Sequence, residues 1–467
     1  MSSIYIILSY ITNNTRPVCA SVVLQARGKV NEAYDACSTI LTQLGEEIPN
    51  LITPASAQAM VVETLKLYEE VYTDEWLKQS KMEDKIAVAK FYTNFVTAAY
   101  FSKPRHMTIA CACKAVQLTL RNGICQYSAL SFLQLSILVE RRDNAVCVYR
   151  ISKNALSLQE RFDLQDQIPR LYSCFYGSIA WHEESLQSCA DHLRRGFECG
   201  LSSGQVVIGF YCSIQYIAKQ LHIGTNLKSL LKEIDYFLHL LEIYKSEVTK
   251  NYMLCFRETI SMLIDKGECT SIEAKAHYGD LSDPDNKFQQ AFFFHQALRS
   301  FWMGYGSRCK HFSEKCSPIF QQSGKLNALI VQFKYALILV EMLSKKNSFK
   351  SRMTVSEVID TIKEAASRSD WNFTNKLRLV EAEFYALENE ESQAIAAYDA
   401  SIASARKSKF IHEEGLACEK AGFYFKRIND HQSAMKYFRQ ARECYEKWGS
   451  DMKVGIIQKE LDCLMGT

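Results

Sequence analysis

Two segments of this 467-residue chain begin like the active helix of a zinc protease, HEESL at His182 and HEEGL at His412. The full pattern, H-E-x-x-H, sets two imidazoles on one helix face beside a glutamate that serves as general base to a metal-bound water. Leu186 and Leu416 stand where the second imidazole belongs, so a metal would lack a ligand and both segments read as solvated or capping groups. GLSSG, Gly200–Gly204, has the G-x-S-x-G spelling of a nucleophile elbow, but an elbow needs a strand before its serine. The preceding ADHLRRGFEC has helical spacing, which places Ser202 in a turn between helices. Gly28-Lys29 and Gly324-Lys325 lack both the upstream glycine and the following hydroxyl of a phosphate-binding loop. No kinase-type H-R-D or D-F-G set is present. His222, His239 and His295 lie on apolar faces and read as core or interface histidines, while Glu390–Glu391 and Glu413–Glu414 fall near helix starts, where they complement the dipole. The expectation is therefore no catalytic residue, no cofactor and no metal.

The elements that would position these residues are helices. Only 7 prolines and 19 glycines occur, and no proline follows Pro318; helix interiors exclude both types. In GKVNEAYDACSTILTQLGEEIP the apolar residues Val30, Ala33, Tyr34, Cys37, Ile40, Leu41 and Leu44 follow steps of three and four, and Gly45 then Pro49 close the run. Similar runs span Ser56–Gln79, Met82–Phe101, Thr108–Arg121, Ser128–Val139, Asn144–Arg161 and Arg170–Trp181. Further on they span Ser185–Cys199, Gly204–Leu221, Leu227–Glu247, Tyr252–Asp265, Phe288–Trp302 and Leu326–Ser344. The expected organisation is a poorly defined segment 1–20, an irregular helical region 21–265, a loop or boundary at 266–287, and regular repeats over 288–467.

Composition narrows the partners. Charged residues make up 23% and hydrophobic residues 48%, with a net charge of +3 and no basic block of five or more. That balance predicts neither a nucleic-acid stripe nor a polybasic membrane anchor. The apolar run Ile4–Ile11 falls short of the ~20 residues a membrane span requires and has no basic residue before it. It reads as a helix end or the ragged start of a truncated chain, and no other segment is expected to cross a membrane. The 17 cysteines are odd in number and form no C-x-x-C pair; Cys111 and Cys113 would point about 200° apart on a helix. They read as buried reduced thiols, and a cytoplasmic location is expected.

The last third repeats itself. AIAAYDASIASARKSK, from Ala394, recurs forty residues later as AMKYFRQARECYEKWG, from Ala434, and the offset pairs Asn389 with Asn429, Tyr398 with Phe438 and Gly415 with Gly455. Each asparagine precedes a helix and is expected to cap its start. Cys418, Ala421, Gly422, Phe425, Ala434 and Phe438 fit the tetratricopeptide template of small and aromatic slots. Arg378, Ala382, Tyr385, Ala394 and Tyr398 fill the preceding unit, Thr354, Val358 and Ala365 make a fainter third, and DMKVGIIQKELDCLMGT reads as a capping helix without a partner.

NKLRLVEAEFYAL, AIAAYDASIASARKSKFIHEEGLACEKAGFYF and AMKYFRQARECYEKWGSDMKVG resemble the tetratricopeptide-like region of large multidomain signalling ATPases. So, less specifically, do AYDACSTILTQLGEEIP and WHEESLQSCADHLRRGFECGLSSGQVVIGFY. In that family a nucleotide-binding module precedes the helical region and a sensor or histidine-kinase module often follows, but no residue here matches those modules. The resemblance implies an all-α superhelix of antiparallel helix pairs, an α-solenoid that acts as an interaction or regulatory scaffold associated with ATPase or kinase modules. A protein or peptide partner is expected in the concave groove, at Glu419, Phe423, Lys426 and Arg427. Two alternatives stand beside this reading: a fragment of a larger ATPase or histidine kinase, which transcript sequence upstream of Met1 would reveal, and an enzyme with a site in the central helices.

Overall fold

A computed structural model describes residues 30–46, 52–79, 81–140, 144–163, 165–265, 289–320, 326–344 and 348–466. The expectations for segments 1–20 and 266–287 lie outside the described residues. Those described form twenty-one α-helices and no strand. In chain order they are α1 (Val30–Gln43), α2 (Pro54–Val71), α3 (Asp74–Gln79), α4 (Ile86–Ser102), α5 (Arg105–Asn122), α6 (Ser128–Val139), α7 (Ala145–Phe162) and α8 (Ile168–Cys174). There follow α9 (Leu186–Ser202), α10 (Val206–Ile223), α11 (Leu227–Ile243), α12 (Glu247–Ile264), α13 (Gln289–Trp302), α14 (Gly306–Phe320) and α15 (Leu326–Leu343). The last six are α16 (Phe349–Arg368), α17 (Asp370–Leu387), α18 (Glu391–Lys407), α19 (Ile411–Arg427), α20 (His431–Trp448) and α21 (Asp451–Met465).

Where the helices depart from periodicity, local chemistry explains it. The run expected over Ser56–Gln79 is two helices, because Thr73 turns its side chain to accept from Trp76 N and starts α3. The pattern did not reveal α14, whose buried positions among the described side chains are Cys309, Ser313 and Cys316, none of them a branched apolar residue. Eleven of the fifteen described cysteines are buried. Helix α15 is long and apolar enough to cross a membrane, contrary to the expectation that no such segment exists; 67% of its apolar window is buried inside the protein.

The chain divides into two compact units. Unit 1 holds residues 1–175 and 202–207. In it α1 packs on α4, with Tyr34 stacked on Phe95 at 4.6 Å, and α2 packs on α5, with Gln117 donating to Thr64 Oγ1 at 2.9 Å. Unit 2 holds residues 176–201 and 208–467, and from α13 onward each helix packs on the next. Helices α13, α15, α17 and α19 also touch in sequence, every second helix meeting its like.

The repeat has a backbone signature. Asn389 and Asn429 both take φ 63°, while Lys409 and Gly449, also forty apart, take φ 61° and 85°. Glu390 N bonds Tyr385 O and Asp430 N bonds Phe425 O, each at 2.9 Å, the six-to-one closure of a left-handed C-terminal cap. The asparagines therefore end the preceding helix rather than start the next, a correction to the capping expected from sequence. The start of α20 is capped instead by Asp430, which accepts from Ser433 N at 3.0 Å.

Ala394, Tyr398, Ala434 and Phe438 are all buried, as their faces require. Gly422 lies so close to Phe438 that a Cβ there would fall 2.7 Å from the ring. Gly422→Ala should lower stability by about 1–3 kcal/mol through overpacking. Lys409→Gly should raise it by about 0.5–1 kcal/mol, since the left-handed backbone is costly for a branched Cα. Denaturant titration of each variant against the wild type checks both signs.

Candidate functional site

Helix α19 is enclosed over most of its length: every residue from His412 to Gly422 except Lys420 is buried. Its second and third residues enter a charged cluster drawn from separate helices. Glu413 receives Lys376 Nζ of α17 at 2.6 Å and the Asn375 amide at 2.5 Å, with both ends of the ion pair at most 2% exposed. Lys376 Nζ also donates to Asn372 O at 2.9 Å. Burial alone would raise Glu413, but Lys376, His412 and Lys334 bring its carboxyl down to about 2.

Lys334 of α15 is the second buried cation. Its ammonium lies 4.8 Å from the rings of Phe301 and Trp302 and 5.3 Å from Phe333, a three-ring cage. Burial pushes its pKa down to about 8, with Glu413 opposing and Lys376 reinforcing the shift. Two imidazoles complete the cluster. His222 Nε2 meets Asn327 Oδ1 at 3.1 Å, and His412 sits 5.8 Å from the Trp302 ring and 5.4 Å from that of Trp448. Burial drives each histidine down to about 3.

From this cluster a ladder of ion pairs runs along the same helices. Lys420 lies 3.7 Å from Glu383 of α17 and 3.6 Å from Glu341 of α15. Toward α21, Glu419 pairs with Lys453 at 2.6 Å while accepting from Tyr445, and Lys426 pairs with Glu460 at 2.7 Å. The N-terminal ends of α17 and α19 are covered from within unit 2. Asn372 accepts from Leu186 N at 3.1 Å and donates to Trp181 O and Glu184 O at 3.0 and 2.8 Å, and Gln187 donates to Ser408 O at 2.9 Å.

Of the residues proposed from sequence, Glu419 is buried in that ladder. Phe423, Lys426 and Arg427 come together where α19 emerges at its C-terminal turn. Phe423 is 38% exposed with its ring edge-on to Phe438 at 5.1 Å, and Arg427 donates to Ala386 O at 3.2 Å. Ile428 beside them is 40% exposed. The solvated or capping reading of the two HEE segments is corrected: His182 packs on Trp181 at 3.8 Å, and His412 and Glu413 are core groups. His222 and His295 are buried as expected, whereas His239 is exposed. Ser202 is the last residue of α9. No group of three or more metal-ligating side chains occurs among the described residues.

The sequence reading missed Lys334 and Lys376. A signal was present: LIVQFKYALILV sets one lysine in a stretch that is otherwise apolar but for Gln332, the pattern expected around a buried cation.

An open groove between α18 and α20 is lined by Asp399, Ile402, Ala403, Arg406, Lys436, Tyr437 and Gln440. Asp399 there accepts from Tyr437 at 2.7 Å, and Arg406 pairs with Glu414 at 2.8 Å.

The chain matches no known protein-family model, and no curated protein is similar to it in sequence.

The Lys334 shift has a testable sign. Its folded pKa of about 8 lies below the ordinary 10.5, so the folded state binds fewer protons between those values and stability rises with pH across that window. Below pH 8 the full penalty, about 3 kcal/mol before the ring contacts offset it, is present. Lys334→Met should therefore stabilise the protein at pH 7, and its advantage over the wild type should shrink between pH 8 and 10.5. Paired urea titrations at pH 7 and 10 measure that difference.

Proposed function

We propose that this chain is a non-catalytic helical-repeat scaffold, a right-handed superhelix of antiparallel helix pairs built in the tetratricopeptide manner. The observation that carries the reading is the forty-residue recurrence of one packing solution. Left-handed caps at Asn389 and Asn429, and at Lys409 and Gly449, join helices whose Ala394–Tyr398 and Ala434–Phe438 faces are buried alike. Repeats of this kind stack, and stacked pairs present a continuous surface to a protein or peptide.

The partner site we assign is the C-terminal turn of α19, around Phe423, Lys426 and Arg427. Large apolar side chains are normally withdrawn from solvent, and here Phe423 and Ile428 stand exposed beside two cations. Lys426 is neutralised by Glu460, which leaves Arg427 the stronger attraction for an acidic segment. The resemblance to signalling ATPases supports a regulatory setting, with ATPase or kinase modules as associates.

The test is capture of partners by the immobilised full chain. Phe423→Ala and Arg427→Glu should each weaken a captured interaction about tenfold or more, the ordinary cost of losing an anchor. Phe349→Ser, at a 79% exposed phenylalanine elsewhere in unit 2, should leave it unchanged. Capture indifferent to all three, or ATP turnover by the purified chain alone, would contradict the proposal.

A further inference from the structure

The turn between α10 and α11 reaches four other helices of unit 2. His222 bonds Asn327 of α15 at 3.1 Å. Asn226 caps α11 by accepting from Ser229 N at 3.2 Å, and its amide donates to Lys447 O at the end of α20 at 2.9 Å. Lys228 pairs with Asp451, the first residue of α21, at 2.8 Å. Between these contacts Gly224, at φ 85°, lies against His412 of α19 so closely that a Cβ would fall 2.2 Å from Nδ1.

That contact fixes the charge of His412. Its Nδ1 is buried and has no hydrogen-bond partner among the described residues. A proton there would find no acceptor among them. The cations around the ring also oppose it. Lys334 faces it from α15, Lys376 from α17 and His222 from α10, while Trp302 and Trp448 flank it from α13 and α20. The one carboxylate nearby, Glu413, favours the charged ring with Oε1 3.9 Å from His412 Nε2, while Lys376 and Asn375 both hold its other oxygen, Oε2. His222, at the root of the turn, faces Lys219, Lys334 and Lys376 in the same way.

We propose that residues 222–228 form a strap over the N-terminal ends of α19 and α21, latched by neutral His412 and lifted when that ring takes up a second proton. The closed strap is fully stable above the ordinary histidine value of 6.5 and is weakened as pH falls toward the buried value of about 3. One proton taken up on opening makes the opening constant rise roughly tenfold per pH unit across that window. The latch stands on the contacts above. Its use, uncovering the first turns of α19 and α21 to a partner, rests on the scaffold reading.

Hydrogen exchange of the intact chain, read by mass spectrometry and corrected for the intrinsic pH dependence of exchange, tests the latch. Between pH 6 and 4.5 the protection of residues 222–228 should fall roughly tenfold per pH unit, while α18 keeps its protection. In His412→Phe that pH slope should fall, leaving only what His222 at the root of the strap contributes. If this variant does not fold, exchange of the histidine C2–H in the wild type reads the titration of His412 itself, which must lie well below 6.5. A strap whose protection is flat with pH, or falls in step with α18, or a His412 that titrates near 6.5 would overturn the proposal. Strap opening without any gain in partner capture would instead count against the scaffold reading alone.

Discussion

Glu413 sits in the first turn of α19 with its carboxylate enclosed, and Lys376 of α17 reaches it at 2.6 Å. Removing two charges from water costs several kcal/mol per ion, and their attraction offsets this only when every remaining hydrogen-bonding site is filled. Here Asn375 adds a second bond to the carboxylate oxygen that Lys376 holds, and Asn372 O accepts from the ammonium. Neither helix can slide along the other by one turn without leaving a buried charge alone. The pair therefore fixes register between α17 and α19; Lys420–Glu383 repeats that constraint, and Glu419–Lys453 sets a like one between α19 and α21.

Apolar packing supplies the bulk of the stabilisation around this pin. A buried aromatic side chain removes about 150–250 Å² from water, roughly 4–6 kcal/mol each before entropy is counted. Tyr398, Phe438, Tyr445 and Trp448 all occupy such positions in the repeats. Such burial is indifferent to small shifts, whereas the Gly422–Phe438 contact and the ion pairs are not. The same division explains the exposed end of α19: the ladder and the rings enclose the helix as far as Gly422, and beyond it Phe423 and Arg427 meet solvent.

Helix content was legible in the sequence because periodicity and the scarcity of proline and glycine point the same way. The run Ser128–Val139 matches α6 residue for residue, and the buried faces of α18 and α20 follow from Ala394, Tyr398, Ala434 and Phe438. Helix α14 was not legible, since Cys309, Ser313 and Cys316 hold its buried positions among the described side chains. Nor was the role of Asn389 and Asn429, because asparagine suits both a helix start and a left-handed end. The charged cluster was hidden for a different reason. Lys376 and Glu413 lie 37 residues apart, Lys334 and His222 further still, and no local pattern relates them. HEEGL was visible as a motif, but only the packing of α10, α13, α15 and α17 against it gives His412 and Glu413 their surroundings.

A double-mutant cycle on Lys376 and Glu413 tests the register claim most directly. Glu413→Leu and Lys376→Met, each leaving one buried charge unpaired, should each destabilise by about 3–5 kcal/mol. Combining Lys376→Met with Glu413→Leu, which removes both charges at similar volume, should cost far less than the two losses together, a coupling of about 3 kcal/mol or more. Additive losses would mean that the two side chains act independently, and the pair would then not be what holds α17 and α19 in register.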